Sequence, residues 1–166
     1  MKTVLAFLAL LLPAMPVAAQ GIDVTFSEAP TANCVAAAGT AEAKLACAGT
    51  SAQACMDTPS GGTTPGIGAC LDRERAWWDA QLNANYKTAM AQAKATDADM
   101  KAMGGRDFKV AENLRQMQRQ WIAFRDAKCD YVMAQWTDGA GAGPAWVGCM
   151  MQTTAEQAVF LIPEQN

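Results

Sequence analysis

The chain has 166 residues, of which 13 are basic and 16 acidic, and its formal net charge at neutral pH is −3. This acidic balance disfavours nucleic acid and anionic lipid as partners and favours encounter with a basic protein. The chain also contains no histidine, which excludes Ser-His-Asp catalysis and every zinc site that uses histidine.

The N-terminus predicts export. Met1 and Lys2 precede an apolar run at residues 4–12, and small residues end at Ala19, so we expect a signal peptide over residues 1–19. The apolar run is too short to span a membrane, and no cysteine stands at the cleavage site to carry a lipid. We therefore expect a soluble periplasmic or secreted protein with no membrane anchor.

All the cysteines follow the predicted cleavage site. They are Cys34, Cys47, Cys55, Cys70, Cys129 and Cys149. Their even number in an exported protein predicts three disulfides, and the absence of a Cys-x-x-Cys pair argues against zinc. We favour Cys129–Cys149 across a Gly-rich loop, with Cys34–Cys47 and Cys55–Cys70, although other pairings of the four upstream cysteines stay open.

Short helices are predicted in the first part of the exported chain. Residues 20–30 show no helical period. Thr31 and Thr40 stand at N-cap positions, and Gly39 and Gly49 separate successive segments. This pattern predicts an extended leader followed by helices of only a few turns.

A longer helix follows these short ones. Capping-box spacing opens a short helix over residues 50–57, and Pro- and Gly-rich residues 58–66 predict a loop. An amphipathic helix then runs from about residue 70 to 95. Its apolar stripe contains Leu71, Trp78, Leu82, Tyr86, Ala89 and Ala93. Arg73, Glu74, Gln81 and Lys87 lie off that stripe.

The second half predicts two further helices. Gly104-Gly105 ends the first long helix, and Asp107 can cap a second long helix that runs to about Trp136. Residues 137–144 are predicted to form a loop, and a last helix covers residues 145–161. The apolar face of the second long helix comprises Val110, Leu114, Met117, Trp121 and Phe124. Because no stretch alternates, we expect an all-α, disulfide-bonded bundle with two long central helices and short flanking helices.

Two polar and aromatic signatures mark the long helices, Trp78-Asp79-x-x-Leu82-Asn83-x-x-Tyr86 and Trp121-x-x-x-Arg125-Asp126-x-x-Cys129. Since Asp79 and Asn83 lie one turn apart, we expect them to reach across to Arg125 and fix the register of the two helices. This structural interpretation is favoured over a ligand cleft. Trp77, off the stripe, is the better candidate for exposed aromatic surface.

The search for a catalytic site is negative. The serines lack the context of a nucleophile. Two carboxylate pairs, Asp72 with Glu74 and Asp97 with Asp99, lie in polar stretches that are typical of solvated surface. We assign no catalytic residue, cofactor or metal site, and we expect the protein not to be an enzyme.

The chain resembles the LprI-type lysozyme inhibitor family over about residues 55–161. The resemblance is carried by the two signatures together with Gln118, a Gly-rich loop, Cys149 and Thr154. The resemblance implies a small, exported, disulfide-bonded helical domain that inhibits lysozyme. It divides the mature chain into an N-terminal extension, residues 20–54, and an LprI-like domain, residues 55–166, packed as one compact unit. This chain departs from the family at Gln157, where an Arg is usual, and in the composition of its loop.

The leading hypothesis is a periplasmic binding protein that blocks a basic muramidase by covering its substrate cleft. The expected contact surface comprises Asp126, Asp130, Asp138, Gly139, Gly141 and Gly143. The alternative is a structural or interaction module of the cell envelope with no hydrolase target. A carboxylate-dependent glycan enzyme is a third, less favoured hypothesis.

Overall fold

The computed structural model describes residues 22–162, so the predicted signal peptide lies outside the described residues. Between residues 22 and 162 the chain forms six helices and no strand, which confirms the predicted all-helical class. The helices are α1 (Ala29–Ala37), α2 (Ala41–Leu45), α3 (Thr50–Met56), α4 (Thr64–Ala102), α5 (Val110–Ala134) and α6 (Ala142–Phe160). None of them is long and apolar enough to cross a bilayer.

Helix α4 is longer than predicted at both ends. Thr63 is its N-cap, where the side-chain oxygen accepts a hydrogen bond of 3.1 Å from the Gly66 amide. Pro65 lies in the first turn, where a missing amide proton costs nothing. The last residues of the predicted loop are therefore helical, and α4 continues to Ala102 instead of ending near residue 95.

The start of α6 shows the same effect. Gly143 and Pro144, predicted to belong to the loop, lie in the first turn of α6, which begins at Ala142. Proline is tolerated there because the first amides of a helix have no intrahelical partner. The connection between α5 and α6 is therefore shorter than predicted.

The short helices begin where backbone geometry allows. Thr40 caps α2 as predicted, because its side-chain oxygen accepts a hydrogen bond of 3.1 Å from the Ala43 amide. Thr31 is not a cap, because α1 already begins at Ala29 and Thr31 is a buried residue within that helix. Helix α3 is capped by Gly49, whose positive φ of 97° places it in the left-handed region that glycine adopts without strain.

The core lies between α3, α4 and α6. Its buried members are Ala52, Trp78, Leu82, Met151, Ala155, Ala158, Val159 and Leu161. Leu114, Met117 and Trp121 of α5 pack against this cluster from the side. Phe124 was predicted to lie on this face, but it is 61% exposed and does not belong to the core.

Three disulfides tie these helices together, and they are the favoured pairs. Cys34–Cys47 closes the α1–α2 segment, Cys55–Cys70 joins α3 to α4, and Cys129–Cys149 joins α5 to α6. Each closes a loop of 13 to 20 residues, for which the chain-entropy account gives about 3 kcal/mol.

Candidate functional site

The end of the bundle where α5 turns into α6 carries the predicted binding aspartates. Asp126 and Asp130 lie one turn apart near the C-terminus of α5, and Asp138 is exposed in the turn that follows. The Cys129–Cys149 disulfide, between the two helices, lies next to Asp130 in the chain. We call the surface formed by Asp126, Asp130, Trp136 and Asp138 the acidic end.

Two of these aspartates are held in place by hydrogen bonds. The indole Nε1 of Trp146 on α6 donates to Asp130 Oδ1 over 2.9 Å. Arg125 donates from Nε and Nη2 to Asp126 Oδ1 over 3.0 and 2.8 Å, which offsets part of the negative charge of Asp126. Asp138 forms no salt bridge within residues 22–162. The acidic end therefore combines two oriented carboxylates with one free carboxylate.

Trp136 gives the acidic end an apolar component. Its side chain is 50% exposed, and the ring lies so close to Gly141 that a Cβ at that position would collide with it. Glycine at 141 therefore permits the indole to fold over the turn. Of the three loop glycines, Gly139 and Gly141 lie in the turn, whereas Gly143 belongs to α6.

The predicted register network between the long helices is wrong in its partners. Asn83 Nδ2 donates within α4, to the Asp79 backbone oxygen over 2.8 Å and to Asp79 Oδ2 over 3.1 Å. Arg125 instead binds its neighbour Asp126 and places its guanidinium carbon 4.9 Å from the centre of the Trp121 ring. Each half of the expected network is satisfied by neighbours on its own helix.

The aromatic residues of the signatures and Leu82 are packing residues. Trp78 and Leu82 are buried, while Tyr86 and Trp121 are half-buried against the same core. Trp77, expected on the surface, also packs there, with its ring edge to face against Trp78 at 4.7 Å. The signatures therefore specify how α4 and α5 pack onto the core.

Comparison with known proteins supplies the family. A family model described as lysozyme inhibitor LprI matches residues 55–161. This chain belongs to the LprI family.

Two relatives extend the LprI comparison. An uncharacterised protein of Rhizobium meliloti (strain 1021) is 26% identical over 95 residues, covering 57% of this chain and 68% of that protein. An uncharacterised 17.7 kDa protein from the puhA 5′ region of Rhodobacter capsulatus is 24% identical over 132 residues, covering 79% of this chain and 82% of that protein. No solved structure matches the chain significantly. LprI membership implies an inhibitor-like function with a protein partner.

The LprI departure at Gln157 has a structural counterpart. Gln157 is buried on α6, and its Nε2 donates to Gln118 Oε1 on α5 over 3.0 Å. An amide thus joins α6 to the glutamine of the second LprI signature. Where an Arg is usual in the family, this chain therefore has a neutral amide that forms a hydrogen bond between α5 and α6.

A buried carboxylate is the polar group that the sequence reasoning missed. Glu74 was predicted to be solvated, yet it is 0% exposed. Its Oε1 accepts from Thr31 Oγ1, the Gly49 amide and Trp78 Nε1 over 2.9, 2.7 and 3.1 Å, and its Oε2 accepts from the Ala52 amide over 2.6 Å. Four donors offset the cost of burying the carboxyl group.

The donors of Glu74 show what it does. Gly49 and Ala52 are the N-cap and third residue of α3, the two amides that a capping box satisfies. Glycine has no side chain to cap α3, so Glu74 of α4 caps it instead. The one available signal was its spacing of four residues before Trp78, which places it on the buried side of α4.

Asp97 has the corresponding role at the other end of α4. Its two oxygens accept from the Val110 and Ala111 amides of α5 over 2.8 and 3.0 Å. The predicted cap, Asp107, instead accepts a hydrogen bond of 3.0 Å from the Lys109 amide, just before the helix. One carboxylate of each pair that a glycan enzyme hypothesis would use, Glu74 and Asp97, is thus engaged in capping a helix.

Proposed function

We propose that the protein is an exported inhibitor that binds a basic lysozyme through its acidic end and covers the enzyme's substrate cleft. Membership of the LprI family supports an inhibitor-like role. The contact surface is proposed from the position and chemistry of the residues at the acidic end.

The observation that carries the proposal is the combination of charge, aromatic surface and rigidity at the acidic end. Asp126, Asp130 and Asp138 supply negative potential, which speeds encounter with a positively charged partner. Trp136 supplies exposed aromatic surface of the kind that anchors protein interfaces.

Rigidity favours binding because less conformational entropy is lost when the complex forms. The Cys129–Cys149 disulfide and the hydrogen bond from Trp146 to Asp130 link α5 to α6 next to this surface. A surface that is already ordered can block a cleft without chemical change, so the proposed role is binding and not catalysis.

An inhibition titration tests this proposal. Lysis of a cell-wall suspension by several lysozyme types is followed with and without the oxidised, exported protein, and turnover of at least one basic lysozyme should fall in a saturable manner. If no lysozyme type is inhibited at any protein concentration, the proposal is wrong.

Charge reversal locates the contact. Asp138→Lys should slow association with the lysozyme by roughly severalfold at low salt, and the difference should shrink as salt is added. Asp99→Lys is the matched control, because it makes the same charge change on exposed surface near the opposite end of α5. Equal effects of the two variants would move the contact away from the acidic end.

A second candidate is an interaction module of the envelope without a hydrolase target. It is favoured by Phe124 and Tyr131, which lie two turns apart on α5 and are 61% and 66% exposed. This candidate predicts that Phe124→Ser and Tyr131→Ser weaken association with an envelope protein and that no lysozyme is inhibited.

A further inference from the structure

Charge is unevenly distributed along the long helices. Residues 94–119 carry six basic and four acidic side chains, whereas the rest of the chain after residue 19 carries six basic and twelve acidic ones. This segment covers the end of α4, the connection to α5 and the first turns of α5. A locally cationic region therefore lies on a protein whose total charge is negative.

The cationic side chains surround a groove of about 700 Å³ between the two helices. Four basic side chains line it, Lys94, Lys101, Lys109 and Arg115, together with three acidic ones, Asp97, Asp107 and Glu112. We call this region, residues 94–115, the hairpin tip.

Two of the three acidic groups of the groove are held by hydrogen bonds or salt bridges. Both oxygens of Asp97 accept backbone amides of α5, and Glu112 forms salt bridges with Arg115 and Arg119. In contrast, Lys94, Lys101 and Lys109 form no salt bridge within the described part of the chain, residues 22–162. With four basic and three acidic side chains in its lining, the groove carries a formal net charge of +1.

Exposed apolar side chains lie beside these lysines. Every residue from 101 to 109 is exposed, and within this stretch Met103 and Phe108 are 72% and 54% accessible. The guanidinium carbon of Arg106 lies 5.4 Å from the centre of the Phe108 ring. Cations next to apolar side chains match the interface of an anionic bilayer, where head groups attract the charges and the apolar groups enter the acyl boundary.

We infer that the hairpin tip docks on the surface of a bilayer that contains anionic phospholipid. A soluble anionic polymer would match the lysines but would leave Met103 and Phe108 without a role. The negative total charge of the protein does not prevent docking, because salt screens interactions between exposed charges beyond about 8–10 Å at physiological ionic strength.

The same geometry orients the protein. Helix α5 has 25 residues, about 37 Å, and runs from Lys109 at the hairpin tip towards the acidic end. A docked tip would hold the acidic end away from the anionic surface and towards the surrounding solution.

Vesicle binding tests the inference. The oxidised, exported protein is mixed with vesicles of phosphatidylcholine that contain increasing shares of phosphatidylglycerol, and the sedimented fraction is measured. We expect partitioning to rise with the anionic share and to fall with salt. No sedimentation, or equal binding to pure phosphatidylcholine, would overturn the inference.

Two paired variants separate local charge from total charge. Lys101→Glu with Lys109→Glu should reduce partitioning about tenfold or more. Arg73→Glu with Lys87→Glu makes the same total change at exposed positions of α4 outside the groove, and it should have a much smaller effect. Equal losses in the two pairs would contradict a specific tip. Far-UV circular dichroism and a free-thiol assay verify that each variant is folded and oxidised.

A third pair distinguishes a bilayer from a polymer. Met103→Ser with Phe108→Ser should reduce vesicle partitioning roughly fivefold, because the apolar groups no longer enter the interface. Unchanged partitioning, or binding to soluble polyphosphate that is tighter than binding to vesicles, would reject the bilayer as the occupant. Inhibition of a lysozyme in solution should be the same in all three pairs, so this test is independent of the proposed function.

Discussion

Helix α4 provides a carboxylate to the N-terminus of another helix at two places, and the two sites differ in burial. Glu74 caps α3 and is completely buried, whereas Asp97 caps α5 within the hairpin tip and is only partly buried. Both replace a capping side chain that the helix itself lacks. The comparison shows that the same interaction, a carboxylate that accepts backbone amides of another helix, stabilises the core at Glu74 and fixes the connection between α4 and α5 at Asp97.

The largest effect is expected at Glu74. In Glu74→Gln the new NH2 group cannot accept a hydrogen bond, so at least one buried donor loses its partner. We expect a loss of about 2–3 kcal/mol in the free energy of unfolding, measured by chemical denaturation with the disulfides intact.

Asp72→Asn is the matched control for this prediction. It makes the same change two residues earlier, on a carboxylate that forms an exposed salt bridge with Arg75. Its cost should be under about 0.5 kcal/mol. Similar losses in the two variants would show that the burial of Glu74 contributes nothing beyond an ordinary surface carboxylate.

A smaller effect is expected at Asp97. Asp97→Asn removes one of two acceptors at the N-terminus of α5 and should cost about 1 kcal/mol. The amides of Val110 and Ala111 should exchange with solvent faster, while those of Gly49 and Ala52 should not change. Asp99→Asn, on the exposed surface nearby, is the control. If the amides of Val110 and Ala111 also exchange faster in this variant, the effect is a general loosening of α4.

The smallest effect on stability is expected at the apolar residues of the hairpin tip. Met103→Ser with Phe108→Ser should change the free energy of unfolding by less than about 0.5 kcal/mol per site, because both side chains are largely solvated. Thermal unfolding measures this directly. A loss comparable to that of Glu74→Gln would mean that these residues pack in the folded protein and are not free to enter a bilayer.

Several parts of the fold could be predicted because they depend on local pattern. Helical periodicity located the two long helices, and loop spacing favoured the three disulfides that the structure contains. Helix boundaries were less accurate, since Pro65 and Pro144 were interpreted as loop residues although each lies in a first turn. The division at residues 54 and 55 and the contact surface of the acidic end stay predictions.

The partners of individual polar groups were beyond the sequence. Asp79 and Asn83 were predicted to bind across helices, but they bind one another along α4. Glu74 was predicted to be solvated because its immediate neighbours are polar. Its spacing from Trp78 places it on the buried side of α4, but the donors that it meets there depend on where α1 and α3 pack, and no local pattern contains that information.

The sequence by itself determined the helical class, the favoured cysteine pairs and the motifs that mark the LprI family, because periodicity, spacing and composition act over short stretches of chain. The tertiary structure alone decided that Glu74 and Asp97 cap other helices and that Phe124 faces solvent. These features arise from contacts between different helices, and burial is a property of the packed whole.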